Sequence, residues 1–367
     1  MSADQLAKAF IETATEKYGD KIPLIFIYGS YAKGTASPDS DLDLVYVTED
    51  KEAENLYTSF IYDGIGYEFW PIDWERLERI SRAEEHWPVA ASIIAYSKIL
   101  WSRLDKDLDR FRALKERVEG YRRPEKSVEM IGKALNAFKD VMNDLGRLRY
   151  EETLSGSRFL AVRIAIGCFE CLGYANQTYF SSGWGSNYQE IMRLKNLPEK
   201  LGKYIDTIIA SVIRKELLLA SEFLVQDTRN VLYRLQRESA KPVSTAETLR
   251  GFYPGIREYV NKIKSAEHKG EKIKSVFSSY LIQADLMHMI SMGENGVSNV
   301  SFNLPSEIST QYLEKGLVDL LVNPANVEEL VDRLDIVARR LFKEQGLCLN
   351  EIVSLEEFRK NLKKCIK

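Results

Sequence analysis

The stretch IPLIFIYGSYAKGTASPDSDLDLVYVT, residues 22–48, decides the fold. Residues 22–28 are a short apolar run rich in β-formers, which predicts a buried strand. That strand runs into Gly29-Ser30, and a turn-rich stretch follows from Gly34 to Ser40. Residues 42–48 alternate and predict a second strand. Glycine at 29 lets backbone amides approach an anion closely, and a helix starting there would favour phosphate at its N-terminus. Ser30 can add a hydroxyl donor, and Lys33 is a loop cation within reach of the same anion. Eleven residues after Ser30 come Asp41 and Asp43, spaced i, i+2. On a strand that spacing puts both carboxylates on one face. Two acids side by side repel each other and call for a cation between them. Magnesium suits them, being hard, oxygen-seeking and commonly shared with substrate phosphates.

A third carboxylate is expected from the neighbouring strand, residues 67–72, where Pro71 suggests an edge or a strand end. Glu68 and Asp73 are the candidates, and their odd separation points them to opposite faces. Glu68 lies mid-strand among apolar residues, where an unpaired charge is costly. Asp73 lies at the strand–helix junction, where capping explains it. Glu68 is therefore preferred. A Gly-Ser alone is a common turn, and an Asp-x-Asp alone is often a solvated strand end. The order, spacing and strand context together favour a functional site.

Around this stretch, residues 4–19 predict a helix and 50–61 suit another, with Gly64 and Gly66 marking a turn. A helix from Asp73 and a helix plus short strand over 89–102 follow. From about residue 105 amphipathic helical patterns take over, at 105–119, 125–149, 157–174, 199–238, 270–291, 309–323 and 326–345. Breakers separate them, among them Gly183–Ser186 and Asn323-Pro324. The fold class is thus a small mixed α/β sheet domain followed by helices only. Cys168 and Cys171 form a CxxC within an apolar helical pattern, with no second CxxC and no nearby histidine. They read as a buried helix face rather than a zinc or redox site.

The chain has 367 residues, 45% of them apolar and 29% charged, with a net charge of −3. That balance gives no support for bulk electrostatic capture of nucleic acid. No apolar run approaches a membrane span, and the N-terminus lacks a signal peptide's apolar core, so a reduced, cytoplasmic setting is expected.

Tyr28-Gly29-Ser30 followed by Asp41-Leu42-Asp43 resembles the signature of the DNA polymerase β nucleotidyltransferase superfamily. Within it, Tyr67-Glu68-Phe69, Glu85-His86-Trp87-Pro88, the helix ending Leu148-Arg149 and Asn196–Lys200 resemble the kanamycin nucleotidyltransferase group, over roughly residues 5–235. The resemblance implies a catalytic domain over 1–120, a helical substrate-binding domain over 121–240 and a helical extension over 241–367 without counterpart in that group. It implies transfer of a nucleoside monophosphate from a triphosphate such as ATP to a hydroxyl of a small acceptor, an aminoglycoside or lincosamide antibiotic being the model case. Asp41, Asp43 and Glu68 would hold two Mg²⁺ ions, and Gly29, Ser30 and Lys33 would meet the phosphates. In that group a helical-domain carboxylate deprotonates the acceptor. Asp140 matches it by position, with Asp144 one turn along, although the family has a glutamate and then a lysine there. Asp140–Asp144, Glu151-Glu152, Tyr179, Phe180 and Trp184 could line an acidic, aromatic cleft for a polycation; the aromatics could equally pack between helices. The group works as a dimer with shared sites, which allows a homodimer here. The rival readings are polynucleotide or protein nucleotidylation, through clusters such as Arg122-Arg123, and a non-catalytic nucleotide-binding antitoxin or regulatory module.

Overall fold

The apolar residues of the first segment recur every three or four positions, and they form a helix, α1 (Ala3–Tyr18). The computed structural model describes residues 3–183, 185–297, 305–323 and 326–359. Leu6, Ala7, Ala14 and Tyr18 of α1 are buried. They join Ile25, Ile27, Leu44, Tyr46, Tyr67 and Phe69 in one core cluster. Each large side chain so buried contributes about 1.5–3 kcal/mol.

Those partners lie on one face of a five-stranded mixed sheet of order β3-β4-β2-β1-β5. Its strands are β1 (Leu24–Ile27), β2 (Leu44–Val47), β3 (Thr58–Tyr62), β4 (Ile65–Ile72) and β5 (Lys98–Ser102). β2 and β4 run parallel, and β1–β2, β1–β5 and β3–β4 are antiparallel. The three central positions of β1, β2 and β4 are thus set beside one another. α2 (Gly29–Lys33) is a single turn after β1, and α3 (Trp74–Ser81), α4 (Trp87–Ala95) and α5 (Asp105–Gly120) follow the later strands. On the sheet face opposite α1, Phe26 meets Phe111 of α5, ring centroids 5.1 Å apart.

Residues 50–61 depart from expectation. They form a 3-10 turn at Ala53–Leu56 and then β3. Asp63 (φ 53°) and Gly64 (φ 79°) both take left-handed backbone. That is the two-residue turn whose twist matches a hairpin, so Asp-Gly joins β3 to β4. Pro71 is at a strand end but not on the sheet's edge strand. β3 pairs with β4 only as far as Phe69, so Pro71 needs no partner on that side.

The remainder is helical, as expected. α6 (Ser127–Tyr150) and α7 (Leu154–Ala175) pack on each other, and α8 (Tyr188–Ile191), α9 (Leu201–Ala210) and α10 (Arg214–Ser239) follow. The single helix expected over 199–238 is broken at Ser211-Val212-Ile213. There the Ser211 hydroxyl accepts the Ile213 amide at 3.0 Å and competes with the helical ladder. Cys168 and Cys171 are buried on α7, and burial pushes the Cys168 thiol up to about 12 and the Cys171 thiol well up. Such thiols are inert. Cys365 lies outside the described residues.

The chain divides into two compact units, Met1–Leu235 and Gln236–Lys367. The second contains α11 (Thr245–Leu249), α12 (Tyr253–His268), α13 (Lys272–Asn295), α14 (Pro305–Glu314) and α15 (Val327–Glu344). Tyr253, Ile256, Ile263, Leu286, Val331, Leu334 and Phe342 belong to its own buried cluster. α12 escaped the periodicity because Pro254-Gly255 reads as a breaker; here the proline occupies the first turn, where its missing N–H costs nothing. The helix expected over 309–323 ends at Glu314, before Gly316 (φ 75°). Pro324 lies outside the described residues. Among the described residues no helix is long and apolar enough to cross a membrane.

Candidate active site

The site begins where β1 ends. The Tyr28 amide donates to the Asp43 carbonyl at 3.1 Å, which extends the β1–β2 pairing by one step. The chain then turns through Gly29, at φ 67°. A Cβ on Gly29 would stand 1.8 Å from Asp43 Oδ2 and 2.8 Å from its Cγ. No side chain fits there, so glycine makes the room in which the Asp43 carboxylate lies. α2 follows at once and closes on Gly34, at φ 72°. The Ser30 hydroxyl has no protein partner among the described residues.

Register explains the grouping of side chains. Ile27 pairs with Leu44, and Leu44 with Phe69. One residue along from each, Tyr28, Asp43 and Glu68 occupy neighbouring positions on one face, shared with Phe26, Val45 and Trp70 by strand alternation. Asp41 is two residues before Asp43 and is exposed, whereas Asp43 is half-buried. Burial, then the charge of Asp41, push the Asp43 carboxyl up to about 6, against a hydrogen bond from Tyr28 and the charge of Lys33. Burial, then the Asp43 charge, push the Tyr28 hydroxyl well above its usual value. It therefore stays a neutral donor facing the carboxylate. The chemistry of the pair suits a divalent cation: a half-buried carboxylate beside a second acid is costly to keep ionised without one, and Lys33 only partly offsets that.

Glu68 is on the expected face, but its environment differs from the apolar one predicted. It is exposed, and its Oε1 accepts from the Tyr57 hydroxyl at 2.9 Å. β3, which places Ser59 beside Glu68 and follows directly on Tyr57, was not foreseen, and with it came this partner. Among the described residues no three His, Cys, Asp or Glu side chains are gathered closely enough to hold a metal. Asp73 caps α3 by accepting the Arg76 amide at 2.6 Å.

On α6, Asp144 is buried and paired with Arg147 at 3.2 Å and Arg163 at 3.0 Å. That is a structural carboxylate. Asp140, one turn earlier, is exposed and near enough to α7 for its charge to raise the Cys171 thiol. No hydrogen bond ties it to the Gly29–Lys33 turn. Tyr179 and Phe180 are buried, 2% and 0% exposed, so they pack between helices instead of lining a cleft. Trp184 lies outside the described residues.

One contact was not legible in the sequence. Lys33 Nζ donates to the Ser181 carbonyl at 2.7 Å, and the Ser181 amide and hydroxyl donate to Glu190 at 2.9 and 2.6 Å. The acceptor for Lys33 is a backbone carbonyl 148 residues away, which leaves no mark on residue type.

Residues 10–105 match the family model "Polymerase beta, Nucleotidyltransferase", and residues 108–237 match the "KNTase C-terminal domain" model. No curated protein matches the chain. Among solved structures, a nucleotidyltransferase-like protein from Exiguobacterium sibiricum 255-15 matches at 15% identity, covering 65% of this chain and 84% of that one. Its TM-score of 0.32 is too low to bear on the fold.

Proposed function

We propose, from the premise that this chain belongs to the polymerase β nucleotidyltransferase superfamily and carries the kanamycin-type helical domain, that it moves a nucleoside monophosphate from a triphosphate to a hydroxyl of a small acceptor. The observation that carries this reading is the Asp41–Asp43 pair, with Asp43 lying in the space that Gly29 leaves beside β1.

Asp41 and Asp43 would hold Mg²⁺, with Glu68 as the third ligand once its carboxylate leaves Tyr57. Bound there, the metal supplies charge neutralisation for the triphosphate and a lowered pKa for the attacking hydroxyl. The rest falls to the chain itself. The backbone around Gly29 and the free Ser30 hydroxyl would take the β- and γ-phosphates. Lys33 retains two N–H donors beyond the one given to Ser181, and these can reach phosphate. The acceptor oxygen attacks the α-phosphorus, pyrophosphate leaves, and Asp140 takes the acceptor's proton. Positioning and charge neutralisation supply most of the catalysis in such transfers.

An acceptor that is small, hydroxylated and cationic, such as an aminoglycoside, suits the exposed Asp140 and Glu152 better than a polyanion does. The test is nucleotide incorporation from labelled ATP, GTP, CTP and UTP with Mg²⁺, against aminoglycosides, lincosamides, RNA and proteins. Transfer to a small hydroxylated compound, lost in Asp41→Asn, supports the proposal. Transfer only to RNA or protein replaces the acceptor class. No transfer and no triphosphate binding by the intact chain refutes the reading.

A further inference from the structure

The Gly29–Lys33 turn has one cation, and its position is set from the helical part of the same unit. Lys33 Nζ lies 2.7 Å from the Ser181 carbonyl oxygen, in a partly buried setting. Its charge also reaches Asp43, whose carboxyl it lowers. Ser181 is itself held at both of its other polar atoms by one side chain. Its amide reaches Glu190 Oε2 at 2.9 Å and its hydroxyl reaches Oε1 at 2.6 Å. A carboxylate accepting two bonds from one residue fixes that residue's orientation, and with it the direction of its carbonyl. The connection from α7 to α8 has other anchors, since the Phe180 amide donates to the Pro88 carbonyl at 2.6 Å and the Tyr188 amide to that of Gly185 at 3.0 Å. Glu190 is therefore not needed merely to keep this connection folded.

We propose that Glu190 is a positioning residue for the triphosphate site: through Ser181 it aims the Lys33 ammonium at the phosphates beside Asp43. The inference rests on the nucleotidyltransferase reading above. Lys33 swings freely on four methylenes unless something holds it, and a held ammonium gives up less entropy when phosphate binds. Lys33 spends one of its three N–H donors on the Ser181 carbonyl and keeps two for phosphate.

The experiment measures binding of a fluorescent ATP analogue with Mg²⁺, and the steady-state constants of transfer, for the full-length chain and its variants. Glu190→Ala should weaken triphosphate binding roughly tenfold, the size of one lost charge-assisted hydrogen bond. Its KM for triphosphate should rise more than its kcat falls. Glu190→Gln keeps one acceptor oxygen for Ser181 and should recover most of the affinity. Lys33→Ala should cost at least as much as Glu190→Ala, and the double variant should be no worse than Lys33→Ala alone, because Glu190 acts only through Lys33. Additive losses in the double variant, or wild-type affinity in Glu190→Ala with an unchanged thermal transition, overturn the inference and leave the nucleotidyltransferase reading intact. A wild-type chain that binds no triphosphate refutes that reading and takes this inference with it.

Discussion

At the scale of single residues, the site is a balance of crowded charge. Asp43 has a carboxyl raised to about 6 from an ordinary value of 3.8, chiefly by burial and by Asp41. A carboxyl whose folded pKa lies above its unfolded one stabilises the fold only while protonated, so stability falls as pH rises from about 4 through about 6. Metal-free protein should therefore gain thermal stability on Asp43→Asn at pH 7.5, and the gain should shrink as the pH is lowered toward 4. Melting curves in EDTA check this; a loss of stability at pH 7.5 would show that the pair is not in conflict. The same substitution should abolish nucleotide transfer. Gly29→Ala meets two obstacles at once. Left-handed backbone costs a non-glycine residue about 1–2 kcal/mol, and the new methyl would drive into the Asp43 carboxylate. Lower stability and lost transfer are expected together. On α6 the two aspartates separate cleanly. Asp140→Asn should reduce kcat by about 10²–10⁴-fold, the usual loss on removing a general base, with triphosphate binding and melting temperature retained. Asp144→Asn should chiefly destabilise, since its carboxylate is buried against Arg147 and Arg163. About 1–3 kcal/mol is expected, below the full cost of breaking a buried pair because both arginines are half-exposed. A kcat loss confined to Asp144→Asn would exchange the two roles.

At the scale of elements, Asp73 and Glu68 test which position of β4 faces Asp43. Asp73 is a helix cap on an exposed turn, so Asp73→Ala should cost about 1 kcal/mol of stability and little activity. Glu68 shares the Asp43 face and is exposed, so Glu68→Gln should leave the melting temperature nearly unchanged and cut activity strongly. The opposite pattern would place the third carboxylate at the β4–α3 junction. What was legible here followed from local chemistry. The strand–Gly-Ser–Asp-x-Asp order identified β1 and β2 because burial and the i, i+2 spacing are written in neighbouring residues. The cap at Asp73 and the buried thiols of α7 were legible for the same reason. The β3 strand was not, because residues 50–57 are polar and helix-tolerant and the two-residue Asp63-Gly64 turn is the only local mark of the hairpin. The partner of Glu68 was lost with it. The Lys33–Ser181–Glu190 contacts were invisible on principle, since they join parts of the chain through a backbone oxygen.

At the scale of the whole molecule, the question is whether the C-terminal helices are a domain or an appendage. The sequence after about residue 240 lies outside both family matches, yet α12, α13 and α15 enclose a buried cluster that includes Tyr253, Ile256, Ile263, Leu286, Val331 and Phe342. Polar contacts secure it as well: Asp335 accepts from Tyr253 at 2.7 Å and Arg257 at 2.7 Å. A unit with its own core opens with its own free energy. Ile256 is fully buried, and Ile256→Ala should cost about 2–5 kcal/mol, the range for emptying an aliphatic core position. The loss should be local. In hydrogen exchange, amides of α12, α13 and α15 should exchange faster in the variant, while those of α6 and α7 keep wild-type protection. Triphosphate affinity should be unchanged, because every residue assigned to the phosphates belongs to the first unit. If α6 and α7 lose protection together with α12, the two units unfold as one. If α12, α13 and α15 exchange within seconds in the wild type, their enclosed cluster contributes no stable core.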